Sequence, residues 1–143
     1  MKKAITSILM SSLILAMLAT AAMADNYVPP FAGQQKNLNS GVDYLSGGVG
    51  LNERSQMESM TQPYNLKLIF DVKNGSYLAD VGIKIADHHG KVLVDTVSQG
   101  PWFYAKLPAG TYKLTGYFDH RSITRTITVG NGMHDLLMTW PTA

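Results

Sequence analysis

From Tyr64 to Trp140 the chain alternates short β-prone runs with turn signals, at a spacing of roughly 8 to 12 residues, and no other feature narrows its possible folds so far. Leu66, Leu68, Phe70 and Val72 alternate with polar or outward-facing positions before Asn74-Gly75, a strong turn pair. Val81, Ile83 and Ile85 share one face of the next run, which turns at His88-His89-Gly90 into Lys91 to Val97. After Gly100-Pro101 come Trp102 to Leu107 and Thr111 to Phe118, with Pro108-Ala109-Gly110 between them. Proline presets one turn residue near φ −65° and glycine supplies a conformation other residues resist, so this stretch predicts a β-hairpin. In that hairpin Leu107 faces Tyr112, Ala105 faces Leu114 and Phe103 faces Gly116 on a core side; Trp102 faces Tyr117 and Tyr104 faces Thr115 on the other. Two more runs follow, Ser122 to Val129 and His134 to Trp140, separated by Gly130-Asn131-Gly132. About seven strands result, and their short connections require mostly antiparallel pairing, since parallel neighbours need long crossovers. Two small sheets packed face to face are the expected solution.

The first 24 residues read differently. Lys2 and Lys3 precede an apolar run from Ile8 to Leu18, and Ala22-Met23-Ala24 offers small residues where signal peptidase needs them. This predicts a secretory signal peptide over residues 1–24, cleaved after Ala24, with a run too short to span a bilayer and no membrane span in the mature chain. Both of its lysines leave with it, so the formal charge of +2 falls to zero. Without a basic stripe, nothing electrostatic points to nucleic acid. The address expected is the periplasm, with the extracellular medium the other destination an export signal allows. There is no cysteine, so packing rather than disulfides must hold the fold in that oxidising compartment.

Residues 25–50 are rich in Gly, Asn, Ser, Gln and Pro and follow neither period, which predicts an irregular or flexible lead. Residues 51–63 read as a short helix ending at Pro63, with Leu51, Met57 and Met60 roughly on one side and Asn52 as its cap. Residues 64–143 form the β-domain.

Asp80-Val81 opening the second strand, the turn Gly90-Lys91-Val92, and Leu107-Pro108-Ala109-Gly110-Thr111-Tyr112 between strands together resemble the carboxypeptidase regulatory-like, or transthyretin-like, domains. The resemblance covers about Tyr64 to Trp140 and implies an all-β, Ig-like antiparallel sandwich of about seven strands. Ser46-Gly47-Gly48-Val49-Gly50 and the short helix look like the lead of small exported bacterial proteins that carry this domain. Such domains share no catalytic motif, so the resemblance carries over no functional residue. Transthyretin-like hydroxyisourate hydrolases end in Tyr-Arg-Gly-Ser, whereas this chain ends Trp140-Pro141-Thr142-Ala143.

Three groups of residues could carry function. Trp102, Tyr104 and Tyr117 would form an exposed aromatic sheet face, able to anchor a protein or stack on a sugar. His88, His89 and His134, with Asp87 or Asp135, supply nitrogen and oxygen donors at one end of the sandwich for a metal ion. No nucleophile motif accompanies them, and a small hydrolase rests on nothing local. Arg125 falls in phase with Ile123 and Ile127; buried, it would need the carboxylate of Asp71 or Asp95, but the reading preferred is that it snorkels to solvent or sits at a bulge. The function expected is that of a non-catalytic, cofactor-free periplasmic binding or structural module. It would engage an envelope protein in preference to a glycan, with metal binding as the alternative.

Overall fold

The computed structural model describes residues 34–36 and 41–142. The signal peptide expected over residues 1–24 lies outside the described residues, as does the first part of the lead. Strands β1 (Gln34–Lys36) and β2 (Asp43–Gly47) precede helix α1 (Leu51–Ser59). Seven strands follow: β3 (Leu66–Val72), β4 (Gly82–Asp87), β5 (Val92–Val97), β6 (Trp102–Ala105), β7 (Gly110–Phe118), β8 (Arg121–Val129) and β9 (His134–Trp140). They form a five-stranded sheet in the order β1-β2-β6-β3-β9 and a four-stranded sheet in the order β5-β4-β7-β8. The expected two-sheet, mostly antiparallel β architecture is therefore present. One pair departs from it: β9 runs parallel to β3 from Leu66↔His134 to Val72↔Trp140.

Alternation in the sequence builds the core between the sheets. Leu66, Leu68 and Phe70 from β3, Phe103 and Ala105 from β6, and Met138 and Trp140 from β9 meet Ile83, Ile85, Tyr112, Leu114, Ile127 and Val129 from the other sheet. Gly116 makes room for the largest of these side chains. A Cβ there would stand 2.9 Å from the Met138 methyl carbon and 2.9 Å from the Trp140 ring.

The hairpin expected over Trp102 to Phe118 is not formed. β6 pairs with β2 and β3, whereas β7 pairs with β4 and β8, so Leu107-Pro108-Ala109 carries the chain from one sheet to the other. Ala105 lies beside Tyr44 and Leu66, and Leu114 beside Ile85 and Arg125, rather than beside each other. All four residues of β6 are buried, and a strand apolar on both faces is stable only in the middle of a sheet covered on both sides. Asn65 fixes the crossover. Its side-chain amide donates to the Leu107 carbonyl at 2.7 Å and the Gly130 carbonyl at 2.9 Å, and its oxygen accepts the Leu107 N–H at 2.9 Å.

The lead is also more structured than its composition suggests. β2 fills the sheet between β1 and β6, with Leu45 and Ser46 buried. Helix α1 is capped by Gly50, which uses no side chain, rather than by Asn52. The Glu53 carboxylate accepts the Val49 N–H at 2.9 Å, which occupies a donor ahead of the first turn. Met57 is the buried residue of the helix, and Leu51 is 79% exposed rather than packed on the same side. A helix this polar and short is held by its ends and by one anchor, since isolated helices below about 12 to 15 residues are marginal in water.

Candidate functional site

Leu45, Trp102 and Tyr104 project from the outer face of the five-stranded sheet and are covered by Met57 of α1 and by Tyr64. Trp102 retains 9% exposure and Tyr104 almost none. The Gly48 backbone lies so close to the indole that a Cβ would be 3.0 Å from it. Lys67 places its ammonium 4.2 Å from the Trp102 ring centre, and the Arg54 guanidinium carbon lies 4.5 Å over Tyr77 and 5.4 Å from Trp102. Arg54 is steadied there by donating from Nε to the Gly48 carbonyl at 2.6 Å. The exposed aromatic face expected from Trp102, Tyr104 and Tyr117 is thus corrected. Two of its members form an inner layer beneath the helix, because β6 is central and needs cover on both sides. Tyr117 is 46% exposed, but on the outer face of the other sheet, where it packs over Gly82.

Burial first, and then the Glu58 and Asp135 carboxylates, push the Tyr104 phenol from 10.0 up to about 12. Since the neutral phenol is the form the fold favours, its contribution to stability is complete below about pH 10 and is lost as pH rises towards about 12. Tyr112 is raised as well, by burial and then by Asp87. An ultraviolet titration should therefore show two late phenols, one of which disappears in Tyr104→Phe. Ionisation of every tyrosine in one step near pH 10 would contradict this burial.

His88 and His89 sit in the turn after β4, their ring centres 3.8 Å apart. Asp87 holds that turn by accepting the N–H groups of His89 and Lys91, both at 2.9 Å. Some desolvation raises its carboxyl, but those two N–H groups and the nearby imidazoles outweigh it and leave the carboxyl below its ordinary value. His134 starts β9 and donates its N–H to the Asn65 carbonyl at 2.9 Å. Among the described residues no three His, Cys, Asp or Glu side chains come together in a way that could hold an ion, so the set His88, His89 and His134 with Asp87 or Asp135 is not assembled. Arg125 is exposed, as expected, and its guanidinium turns back to the Thr124 carbonyl.

The more distinctive surface is an edge. In a parallel ladder alternate residues of a strand turn both backbone groups to the same neighbour. His134 N–H bonds to Asn65 and the Trp140 carbonyl accepts from Lys73, so the even-numbered residues of β9 face β3. Among the described residues no strand pairs with the other flank of β9, so Asp135, Leu137 and Thr139 present their N–H and C=O groups to an open side. Leu137 is 54% exposed beside them. β9 has no proline, lysine or break in register to blunt the edge, and its acidic residue, Asp135, stands near its start. The other long edge, β8, carries Arg121 and Arg125, and the pairing of β5 is interrupted by a bulge. Sequence reasoning passed over β9, although the absence of charge between Leu136 and Trp140 was visible.

No family model matches the chain, and no curated protein matches it.

Proposed function

We propose that this chain is an exported, non-catalytic β-sandwich that binds an extended segment of an envelope protein along β9. The open backbone row of Asp135, Leu137 and Thr139 carries the reading. Strand addition draws affinity from main-chain hydrogen bonds and specificity from alternate side chains, and Leu137 supplies an apolar contact in that row. The export signal read in residues 1–24 supports a periplasmic address, and the motifs between Tyr64 and Trp140 support a likeness to the carboxypeptidase regulatory-like domains. Of the aromatic residues expected at the contact, Trp102 and Tyr104 instead pack beneath α1, and Tyr117 lies on the other sheet.

Thr139→Pro tests this directly, because it deletes an N–H that faces away from β3 and leaves the internal ladder its donors. A photo-crosslinking side chain placed at position 137 in the exporting cell is expected to trap one discrete protein adduct. The adduct should be lost with Thr139→Pro and weakened at least tenfold by the charge reversal Asp135→Lys in the same row. The same crosslinker at Tyr117 should give none. Equal adducts from positions 137 and 117, or an adduct indifferent to Thr139→Pro, would overturn strand addition at β9. Recovery of the protein with residues 1–24 intact in the cytoplasm would overturn export.

A further inference from the structure

A second feature lies at the C-terminal end of β9, between the sheets rather than along its open edge. A pocket of about 350 Å³ opens between the two sheets where β3, the β7–β8 turn and the end of β9 converge. Its volume lies within the ~300 to 1,000 Å³ range of small-molecule sites, at the end suited to one compact molecule. Val72 and Phe118, both partly buried, give it an apolar floor continuous with the core, and the buried Trp140 ring lies directly beneath. Phe118 meets the Trp140 ring edge-on at 6.3 Å, and the Trp140 indole N–H donates to the Arg121 carbonyl at 3.4 Å, so the wall is tied to β8.

Two opposite charges line this pocket. Asp119 and Arg121 flank His120 in the turn, and Phe118 pairs with Arg121 across it. A two-residue connection of this type needs positive φ at both central positions. Here they are Asp119 at φ 46° and His120 at φ 59°, neither of them glycine. Aspartate and histidine are among the few residues besides glycine and asparagine that adopt this left-handed backbone readily. Asp119 and Arg121 both line the pocket and both are exposed. Among the described residues neither side-chain charge makes an ion pair or a hydrogen bond, with the other or with any third group.

We infer that this pocket binds the zwitterion of an apolar α-amino acid, with the ligand carboxylate on Arg121, its ammonium on Asp119 and its side chain on Val72 and Phe118, above the buried Trp140 ring. Arg121 offers the planar fork that suits a carboxylate, and Asp119 is an acceptor that suits an ammonium. An apolar floor under one cation and one anion matches that ligand class better than it matches a simple fatty acid or an amine, each of which would leave one charge facing its own sign or nothing.

The test is a nitrogen-15 NMR titration of the purified protein with L-phenylalanine. The chain has two tryptophans, and Trp102→Phe assigns their indole signals. The Trp140 signal is expected to shift saturably while that of Trp102, at the other layer of the sheet, stays in place. Phenylpropanoate, phenethylamine and glycine, which each lack one of the three groups, should bind at least tenfold more weakly. Arg121→Gln and Asp119→Asn should each reduce affinity about tenfold, the loss expected of one charge-assisted contact. Asparagine tolerates the left-handed conformation as well as aspartate does, so Asp119→Asn keeps the turn. Absence of a saturable Trp140 shift would overturn the site. Equal binding of the three partial analogues, or unchanged affinity in both folded variants, would overturn the zwitterion.

Discussion

Gly100→Ala is expected to destabilise the protein by about 4 kcal/mol, a large part of the 5–15 kcal/mol that domains of this kind possess. A Cβ at position 100 would lie 2.2 Å from the Gly47 carbonyl oxygen and 2.5 Å from its carbon, and both are backbone atoms with no rotamer to yield. The clash falls on a buried latch. Ser46 and Ser98 hydroxyls lie 3.1 Å apart, the Gln99 N–H donates to Ser46 Oγ at 2.7 Å, and Ser98 donates to the Gly100 carbonyl. Separating β2 from this loop adds the cost of unsatisfied buried polar groups, about 1–3 kcal/mol, to an overpacking cost of similar size. Urea denaturation measures the effect, with Gly130→Ala as the control, since nothing lies within 4 Å of a Cβ there. A Gly100→Ala protein with the native midpoint would mean that the two backbones do not meet.

Trp102→Ala should cost about 3 kcal/mol and release α1. Truncating a buried Trp to Ala costs about 3–5 kcal/mol, and the lower end applies because the indole N–H is buried without a partner among the described residues, which offsets part of the packing gain. Tyr117→Ala, on the other sheet and half-exposed, should cost about 0.5 kcal/mol or less. The two substitutions therefore separate the members of what the sequence presents as one aromatic face. Helix loss should appear as accelerated amide exchange over residues 51–59 in Trp102→Ala, before global unfolding. Equal destabilisation by both substitutions would contradict the layer of α1 over β6.

What could be read in advance follows physical range. Alternation is local, and Leu66, Leu68 and Phe70 or Ile83 and Ile85 announce strands and faces without reference to any distant residue. Pairing is not local. Pro108-Ala109-Gly110 marks where the chain reverses, but it cannot say whether the two arms share a sheet. The deciding clue was in the composition of β6 itself: Trp102-Phe103-Tyr104-Ala105 has no polar position, which belongs to a central strand covered on both faces. β2 escaped notice because Asp43–Gly47 is short and bordered by glycine, and its burial depends on β6 rather than on its own pattern. The candidate sites were legible only as residue types. Trp102 and Tyr117 are both aromatic in sequence, and only the tertiary arrangement puts one under a helix and leaves the other in water. Asp119 and Arg121 gave no signal at all, since a charged pair around a turn is ordinary until a pocket lies beneath it.

The parallel union of β3 with β9 also sets an order of events. The neighbours β4–β5 and β7–β8 are close in sequence and can zip soon after they are made, whereas β3 waits for β6 on one flank and for β9 on the other. Contacts between distant segments form late, because the intervening loop must first be closed. As the chain folds, β3 therefore keeps an unpaired flank until the last strand arrives, and Trp140 reaches its place against Gly116 only then. A nascent chain interrupted before His134 would hold an assembled four-stranded sheet against an unfinished partner, the kind of half-built intermediate that proteases and aggregation remove first.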